Sequence, residues 1–266
     1  MSCVLLARDL RYRYPDGREA LRGIDLGVAH GERVAILGPN GAGKTTFVFH
    51  LNGLLTGSGR LEAAGIVVDG DKSVRELRSR VGLVFQDPDD QLFMPTVRED
   101  VGFGPLNLGL TREQALDRVE EALDAVRMGH AADRAPHQLS MGERRRVAIA
   151  TVLAMQPELL VLDEPTANLD PRARRELLQV LERIERTMLV VTHDLPFAAE
   201  LCERAVILSG GCIVADGTCP DILADQRLLA DHDLELPAGF DPGRVVPRER
   251  RRGYSGESLV ASDFAA

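Results

Sequence analysis

The chain has 266 residues, of which 44% are hydrophobic and 27% charged, a composition typical of a globular chain with a sizeable core. Asp and Glu outnumber Lys and Arg by 41 to 32, and the formal charge of −9 would repel nucleic acid and anionic lipid headgroups. These values exclude a fibrous or disordered chain and argue against nucleic-acid binding.

Cysteine usage and hydropathy predict a reducing compartment and no membrane span. The four cysteines form no CxxC pair and do not suggest a disulfide scaffold. The first residues, MSCVLLARDLRYRY, lack the features of a signal peptide, and no window approaches about 18 consecutive apolar residues. If the function is transport, we expect the pore to belong to another polypeptide.

The first third of the chain predicts a small sheet lobe. Short apolar runs, CVLLARDL, IDLGVA and RVAIL, are separated by turn residues such as Pro15 to Gly17. The sequence after Gly43 predicts a helix that starts on a glycine loop and stops near Gly53.

The glycine loop matches a phosphate-binding pattern. Residues 38–45 read GPNGAGKT, which satisfies GxxxxGK[ST] between a strand and a helix. Backbone N–H groups and the helix N-terminus would face the phosphates, Lys44 adds a positive charge, and Thr45 can ligate Mg²⁺. A tight turn without a ligand is the alternative. The predicted nucleotide-binding residues here are Gly38, Pro39, Asn40, Gly41, Ala42, Gly43, Lys44 and Thr45.

The middle of the chain predicts a helical lobe and then two buried strands. From Thr111, apolar residues at helical spacing predict an amphipathic surface helix. The runs LLVL before Asp163 and MLVV before Thr192 are typical of parallel strands covered on both faces.

Asp163 and Glu164 end the first of these strands, at the sheet edge where ligands collect. One carboxylate can hold magnesium while its neighbour polarises water. An acidic pair that opens the next helix is the alternative, since Asp and Glu also favour helix starts.

A capped helix is predicted at Leu139-Ser140-Met141-Gly142-Glu143, because Ser140 and Glu143 form a capping box. The positive end of the helix dipole could face an anion, or the segment could be a plain capped helix without a ligand. The stretch lies between the phosphate loop and the strand carrying Asp163. There it resembles the signature sequence of ABC ATPases, and the resemblance covers residues 1 to about 225.

The resemblance implies an α/β fold, in which a P-loop NTPase core carries an antiparallel β lobe and an α-helical signature lobe. This ABC ATP-binding domain would span 1–226, with the helical lobe at about 87–156. Residues 227–266, rich in Pro, Gly, Ser and charge, predict a flexible extension. Its arginines at 248–252 would be solvated, or would touch lipid or a partner.

The resemblance also implies how ATP and Mg²⁺ are bound. Tyr14 would stack on adenine, and Thr46 would contact the phosphates beside Thr45. Magnesium would be held by Thr45, Gln86 and Asp163, and Gln86 would also sense the attacking water.

The remaining implied roles concern catalysis and a second subunit. Glu164 would be the general base, and His193 would be the switch residue that contacts the γ-phosphate. Asp170 would belong to the loop that links two subunits. The signature would serve the ATP held by the opposite subunit, through Ser140, Met141, Gly142 and Glu143. Two positions depart from the usual signature: Glu143 replaces a frequent glutamine, and Met141 replaces a glycine and puts a side chain near the expected phosphate contact. Gly142 remains available for close backbone approach.

One branch of the family is indicated by the flanking segments. DPDDQLF after Gln86, then DVGFGPLNLGL and PHQLSMGERRRVAIA, resemble energy-coupling-factor ATPases, especially cobalt and nickel importers. The resemblance implies a peripheral subunit on the cytoplasmic face of the cell membrane. Its partners would be integral membrane energy-coupling and substrate-binding subunits and a second ATPase, either the same chain or a paralogue. In that branch the segment after Gln86 contributes to the groove for coupling helices, whereas an ordinary surface loop is the alternative.

Other functions fit the same motifs, and no residue of the chain identifies the transported cargo. A vitamin-type importer of the same branch would use a related ATPase. A soluble ABC-type ATPase of DNA repair or ribosomes would share the motifs but add a coiled coil or a second cassette. A phosphate-loop kinase or GTPase would explain neither the signature nor His193.

Overall fold

The computed structural model describes residues 3–68 and 71–245, with the side chains of 71–73 left undescribed. The strands are β1 (Cys3–Arg13), β2 (Glu19–Ala29), β3 (Arg33–Leu37), β4 (Ser58–Ala63), β5 (Ile66–Val67), β6 (Val81–Val84), β7 (Leu159–Asp163), β8 (Thr187–Val191), β9 (Arg204–Ser209) and β10 (Cys212–Thr218). The α-helices are α1 (Lys44–Leu51), α2 (Asp71–Arg80), α3 (Val97–Asn107), α4 (Arg112–Ala125), α5 (Met141–Leu153), α6 (Pro171–Arg183), α7 (Leu195–Leu201), α8 (Cys219–Ala224) and α9 (Gln226–Asp231).

The strands form two sheets. An antiparallel sheet has the order β2-β1-β4-β5, and a larger sheet has the order β10-β9-β3-β8-β7-β6. In the larger sheet β9, β3, β8, β7 and β6 are parallel, and β10 is antiparallel at the edge. The carboxyl ends of β3, β6, β7 and β8 therefore share one sheet edge, which is where an open α/β sheet binds ligands.

Both faces of the parallel strands are buried. Leu159 and Val161 of β7 pack with α1 and the antiparallel sheet, whereas Leu160 and Leu162 pack with the helices on the opposite face. This division follows from the two-residue period of a strand. The prediction that LLVL and MLVV form buried parallel strands is confirmed, and the structure adds that the two strands are adjacent.

The helical lobe consists of α3, α4 and α5. Thr96, Thr111 and Ser140 cap these helices, each through a capping box with the residue three positions later. The predicted amphipathic helix after Thr111 is confirmed as α4, which buries Val119 and Leu123. Because the caps satisfy the first N–H groups, the lobe has fixed helix starts.

The C-terminal part of the chain corrects one prediction. Residues 227–245 were expected to be flexible, yet α9 and the segment after it pack on the core, with Leu229 and Leu234 less than 10% exposed. Scattered apolar residues anchor this segment without a helical period, so the sequence pattern did not predict them. The arginines at 248–252 lie outside the described residues. Within the described part of the chain, no helix is long and apolar enough to cross a bilayer.

Candidate functional site

The phosphate loop connects the end of β3 to the start of α1. Gly38 and Gly43 have φ of 150° and 108°. A Cβ at these positions would lie 2.1 Å from the Leu208 carbonyl oxygen and 2.5 Å from that of Ala20. Only glycine therefore fits at either position. The loop ends at the N-terminus of α1, whose N–H groups and dipole favour an anion.

Lys44 is buried at the start of α1, and its ammonium lies over the loop. Its Nζ donates to the Gly38 carbonyl at 2.7 Å and to the Pro39 carbonyl at 3.0 Å. Burial lowers the pKa of Lys44, while the carboxylates of Glu164 and Asp163 raise it. The loop thus carries a positive charge with two acidic side chains nearby.

Asp163 and Glu164 are both buried at the carboxyl end of β7. Burial and then the Glu164 carboxylate raise the pKa of Asp163 to about 6. Glu164 has a left-handed backbone with φ of 46°, and its N–H donates to the Val191 carbonyl at 2.8 Å. The bond to β8 holds Glu164 in a conformation that non-glycine residues seldom adopt.

His193 follows β8 and contacts Glu164. Its Nδ1 lies 2.8 Å from Glu164 Oε2, and its backbone N–H donates to the same oxygen at 3.3 Å. The His193 side chain is 66% exposed, whereas that of Glu164 is 9% exposed. The arrangement therefore links a buried carboxylate to an imidazole whose ring reaches solvent.

The residues around Asp163 fit a magnesium ion. Its Oδ1 is buried and has no hydrogen-bond partner among the residues that the structure describes. The Thr45 side chain hydrogen-bonds to the Asp163 carboxyl group. Carboxylate and hydroxyl oxygens suit Mg²⁺, which commonly completes its shell with waters and substrate phosphates.

Gln86 follows β6 at the same sheet edge and is exposed. Its backbone carbonyl accepts a hydrogen bond from Arg145 Nη1 at 2.5 Å. Sequence reasoning missed Arg145, because an arginine in the run RRR is typical of a solvated helix face. In the structure it is 1% exposed.

Tyr14 is half-buried just after β1. Its hydroxyl lies 3.0 Å from Thr46 Oγ1, and the Arg18 guanidinium is 4.8 Å from its ring centre. The ring also packs edge-to-face on Tyr12, with centroids 5.0 Å apart. These contacts fix Tyr14 beside α1, and they give Thr46 a partner that the sequence did not suggest.

The signature residues lie at the start of α5, in the helical lobe. Glu143 Oε2 accepts from the Ser140 N–H at 2.8 Å, so the predicted capping box is confirmed. Met141 is half-buried. A Cβ on Gly142 would lie 2.7 Å from the Cβ of Ala173 on α6. The close packing of α5 against α6 within this chain therefore requires glycine at position 142.

Asp170 caps α6 and accepts hydrogen bonds from the Arg172 and Ala173 N–H groups, each at 2.8 Å. One turn later Arg174 forms a bidentate pair with Asp194, with distances of 2.7 and 3.1 Å. Sequence reasoning missed this pair, which joins the helix that Asp170 caps to the residue after His193. Only the tertiary fold brings the two together.

The chain belongs to the ABC transporter family, whose model matches residues 21–167, more than half of the chain. A putative ABC transporter ATP-binding protein of Streptomyces avermitilis is 60% identical over 89% of this chain and 90% of its own length. The energy-coupling factor transporter ATP-binding protein EcfA of Methanothermobacter thermautotrophicus is 46% identical over 93% of this chain and 80% of its own length. These relatives confirm the family resemblance.

Solved structures agree with the fold. CbiO1 from Clostridium perfringens, part of the ABC transporter complex cbiONQ, has a TM-score of 0.78 and 37% identity over 89% of this chain and 97% of its own. A dimeric bacterial ABC transporter cassette, MJ0796, has a TM-score of 0.72 and 28% identity, and the match covers 81% of this chain and 98% of the cassette. The predicted ABC ATPase fold is confirmed, and ATP hydrolysis coupled to transport is the activity of this class.

Proposed function

We propose that this chain is the ATP-hydrolysing subunit of an energy-coupling-factor importer, with cobalt or nickel ions as cargo. The observation that carries the proposal is the convergence of the phosphate loop, Asp163, Glu164 and His193 at one sheet edge. The relatives named EcfA and the cbiONQ neighbour support the branch. The subunit would sit at the cytoplasmic face of the cell membrane, bound to integral membrane partners.

The proposed reaction is an in-line attack of water on the γ-phosphate of ATP. Lys44 and the loop N–H groups bind the phosphates, and Thr46 lies one residue after Thr45 for a further contact. Mg²⁺, held by Asp163, Thr45 and Gln86, would neutralise charge on the phosphate oxygens. Tyr14 offers a ring face to adenine.

Glu164 takes a proton from the water as the new O–P bond forms and the bond to ADP breaks, releasing ADP and phosphate. His193 Nδ1 holds the Glu164 carboxylate at 2.8 Å and orients it. The exposed part of the imidazole would contact the γ-phosphate, which is the switch role that the family resemblance implies. Positioning and charge stabilisation carry most of the rate in such reactions.

A second copy of the fold would complete each site. Ser140, Met141, Gly142 and Glu143 would face the ATP of the opposite subunit, and exposed Asp170 would lie at the junction. The dimeric cassette among the structural neighbours supports this arrangement. Since one chain carries every motif, a homodimer is the form we propose, and a paralogue in one position is the alternative.

The helical lobe offers a surface for the membrane partners. Phe93, Phe103, Leu106 and Leu108 are 41 to 63% exposed, and we call them the lobe surface. The Phe93 and Phe103 rings pack edge-to-face with centroids 5.1 Å apart. Both rings lie within the segments whose sequence resembles this branch. Exposed aromatic clusters are characteristic of protein interfaces, so a coupling helix is the proposed occupant.

Magnesium-dependent ATP hydrolysis by the purified chain tests the enzyme proposal. Lys44→Ala should lose nucleotide binding, and Glu164→Gln should bind ATP and form dimers in size-exclusion chromatography with MgATP. Glu121→Gln is the matched control, since Glu121 is exposed on α4. Near-normal hydrolysis by Glu164→Gln would sink the base assignment, and an absence of ATP binding by the wild type would sink the whole proposal.

Uptake measurements distinguish the cargo. The chain would be co-expressed with its membrane partners, and cells would be assayed for cobalt and nickel accumulation against riboflavin and biotin. Metal uptake that disappears with Glu164→Gln supports the proposal, whereas vitamin uptake alone favours the vitamin-type alternative. Hydrolysis by a chain that binds no membrane subunit would favour a soluble ABC ATPase.

A further inference from the structure

Arg145 is a buried cation on α5 that touches two segments of the site. Its Nη1 donates to the Phe85 carbonyl at 3.0 Å and to the Gln86 carbonyl at 2.5 Å. Its Nη2 donates to the Ala167 carbonyl at 3.3 Å. Burying a guanidinium carries a large desolvation cost, which these carbonyl bonds offset in part.

A second side chain holds the same segment from the other side. Gln91 Oε1 accepts from the Phe85 N–H at 3.2 Å, while its Nε2 donates to the Ala148 carbonyl of α5 at 2.8 Å. The backbone around Phe85 and Gln86 is thus fastened to α5 through both side chains. The position of this backbone is therefore set by α5.

The third contact extends the connection to another loop. Ala167 lies between Glu164 and Asp170, so Arg145 joins the segment that carries the Gln86 side chain to the loop after the proposed base. The same α5 begins at the signature and packs against α3, which carries Phe103 of the lobe surface. One guanidinium therefore connects the lobe to two loops of the hydrolytic site.

We propose that Arg145 is a positioning residue that holds the backbone around Gln86 against the loop after Glu164, and so sets the place of Gln86 relative to Asp163. This inference rests on the proposed function, because it assumes that Gln86 serves magnesium and water. Without Arg145 the backbone around Gln86 would lose its link to Ala167 and keep the bridge that Gln91 makes to α5.

The test compares Arg145→Met, which keeps length but removes charge and donors, with Arg145→Lys, which keeps one charged donor. We expect kcat of Arg145→Met to fall on the order of 10- to 100-fold, as a small displacement of a catalytic group would cause. The magnesium concentration for half-activation should rise, and Arg145→Lys should recover part of both. Nucleotide affinity without magnesium should stay within about twofold.

Arg33→Gln is the matched control, because Arg33 is also buried and donates Nη2 to the Ile184 carbonyl at 2.6 Å, at the other end of β3. Hydrogen–deuterium exchange of residues 85–89 gives a readout independent of activity. Exchange should rise in Arg145→Met and remain at the wild-type level in Arg33→Gln. If Arg145→Met does not fold, the comparison is made with Arg145→Lys.

Wild-type kcat, magnesium dependence and exchange in Arg145→Met would overturn the positioning role. So would a uniform loss of stability, nucleotide affinity and kcat equal to that of Arg33→Gln, since this marks a purely structural residue. A wild-type chain that does not bind ATP would instead overturn the proposed function. The exchange measurement would still decide whether Arg145 holds the segment around Gln86.

Discussion

Oε2 of Glu164 lies 2.8 Å from Nδ1 of His193, although the two residues are 29 positions apart. They meet because β7 and β8 are adjacent parallel strands whose carboxyl ends lie side by side. The His193 N–H also donates to that oxygen at 3.3 Å. The side chain and the backbone of His193 therefore both orient one carboxylate oxygen of Glu164.

His193→Ala tests this contact. Loss of the imidazole should lower kcat on the order of 10²-fold, as removal of one oriented donor does in other enzymes, with little change in nucleotide affinity. Steady-state hydrolysis and a binding titration would be measured together. His30→Ala is the control, since His30 is exposed in the turn before β3. Wild-type turnover in His193→Ala would remove His193 from the mechanism.

Magnesium binding should depend on pH through Asp163. Its pKa is raised to about 6, first by burial and then by Glu164, so a metal must displace a proton in acid solution. We expect magnesium affinity to fall as the pH drops below about 6. Magnesium titrations with a non-hydrolysable ATP analogue would measure this. A pH profile that Asp163→Asn leaves unchanged would contradict the assignment.

The same group predicts the direction of a stability change without ligands. The folded-state pKa of Asp163, about 6, lies above its ordinary value of 3.8. At pH values between these two, the native chain therefore binds more protons than the unfolded chain. The Asp163 contribution to the free energy of unfolding should therefore decrease as the pH rises from about 4 to about 6. Urea unfolding of the wild type and of Asp163→Asn isolates this contribution. A difference in unfolding free energy that stays constant across this pH range would contradict the prediction.

Gly142→Ala should destabilise the fold. The added Cβ would stand 2.7 Å from the Ala173 Cβ, which forces α5 and α6 apart and should cost about 1–3 kcal/mol of unfolding free energy. Ala173→Gly in the same chain should return part of that loss, because it removes the opposing methyl group. Urea unfolding of the four chains of this cycle gives the coupling. Additive effects would show that the two positions do not clash.

Phe103→Ser should weaken binding of the membrane partners. The ring is 41% exposed and pairs with Phe93, so its loss removes half of an aromatic cluster while burying no new polar group. Co-purification with the co-expressed membrane subunits measures the effect. Leu54→Ser, at an exposed apolar residue after α1, is the control. Equal recovery of the partners with both variants would place the docking surface elsewhere.

Local patterns were sufficient for the elements that carry the phosphate loop and the acidic pair. Continuous apolar runs predicted β7 and β8, and the glycine spacing predicted the start of α1 near Lys44, because these features depend on neighbouring residues alone. The capping box at Ser140 is local in the same sense. All of these were predictable without knowledge of the tertiary fold.

Contacts between distant segments could not be predicted in that way. Arg145 lies in a charged run that is typical of solvent, yet it is buried because three carbonyl groups from two loops converge on it. Leu229 and Leu234 are anchored by the core surface they meet and not by any period of their own. In both cases the deciding partner is remote in sequence.

The Arg174–Asp194 ion pair joins the start of α6 to the residue beside His193. Asp170 caps that helix, so the ion pair ties the capped end of α6 to the segment that carries the histidine. A neighbouring subunit that contacts Asp170, as proposed above, would therefore act on the segment of His193 through this ion pair. The proposed subunit junction and the proposed switch histidine would then share one electrostatic link within the chain.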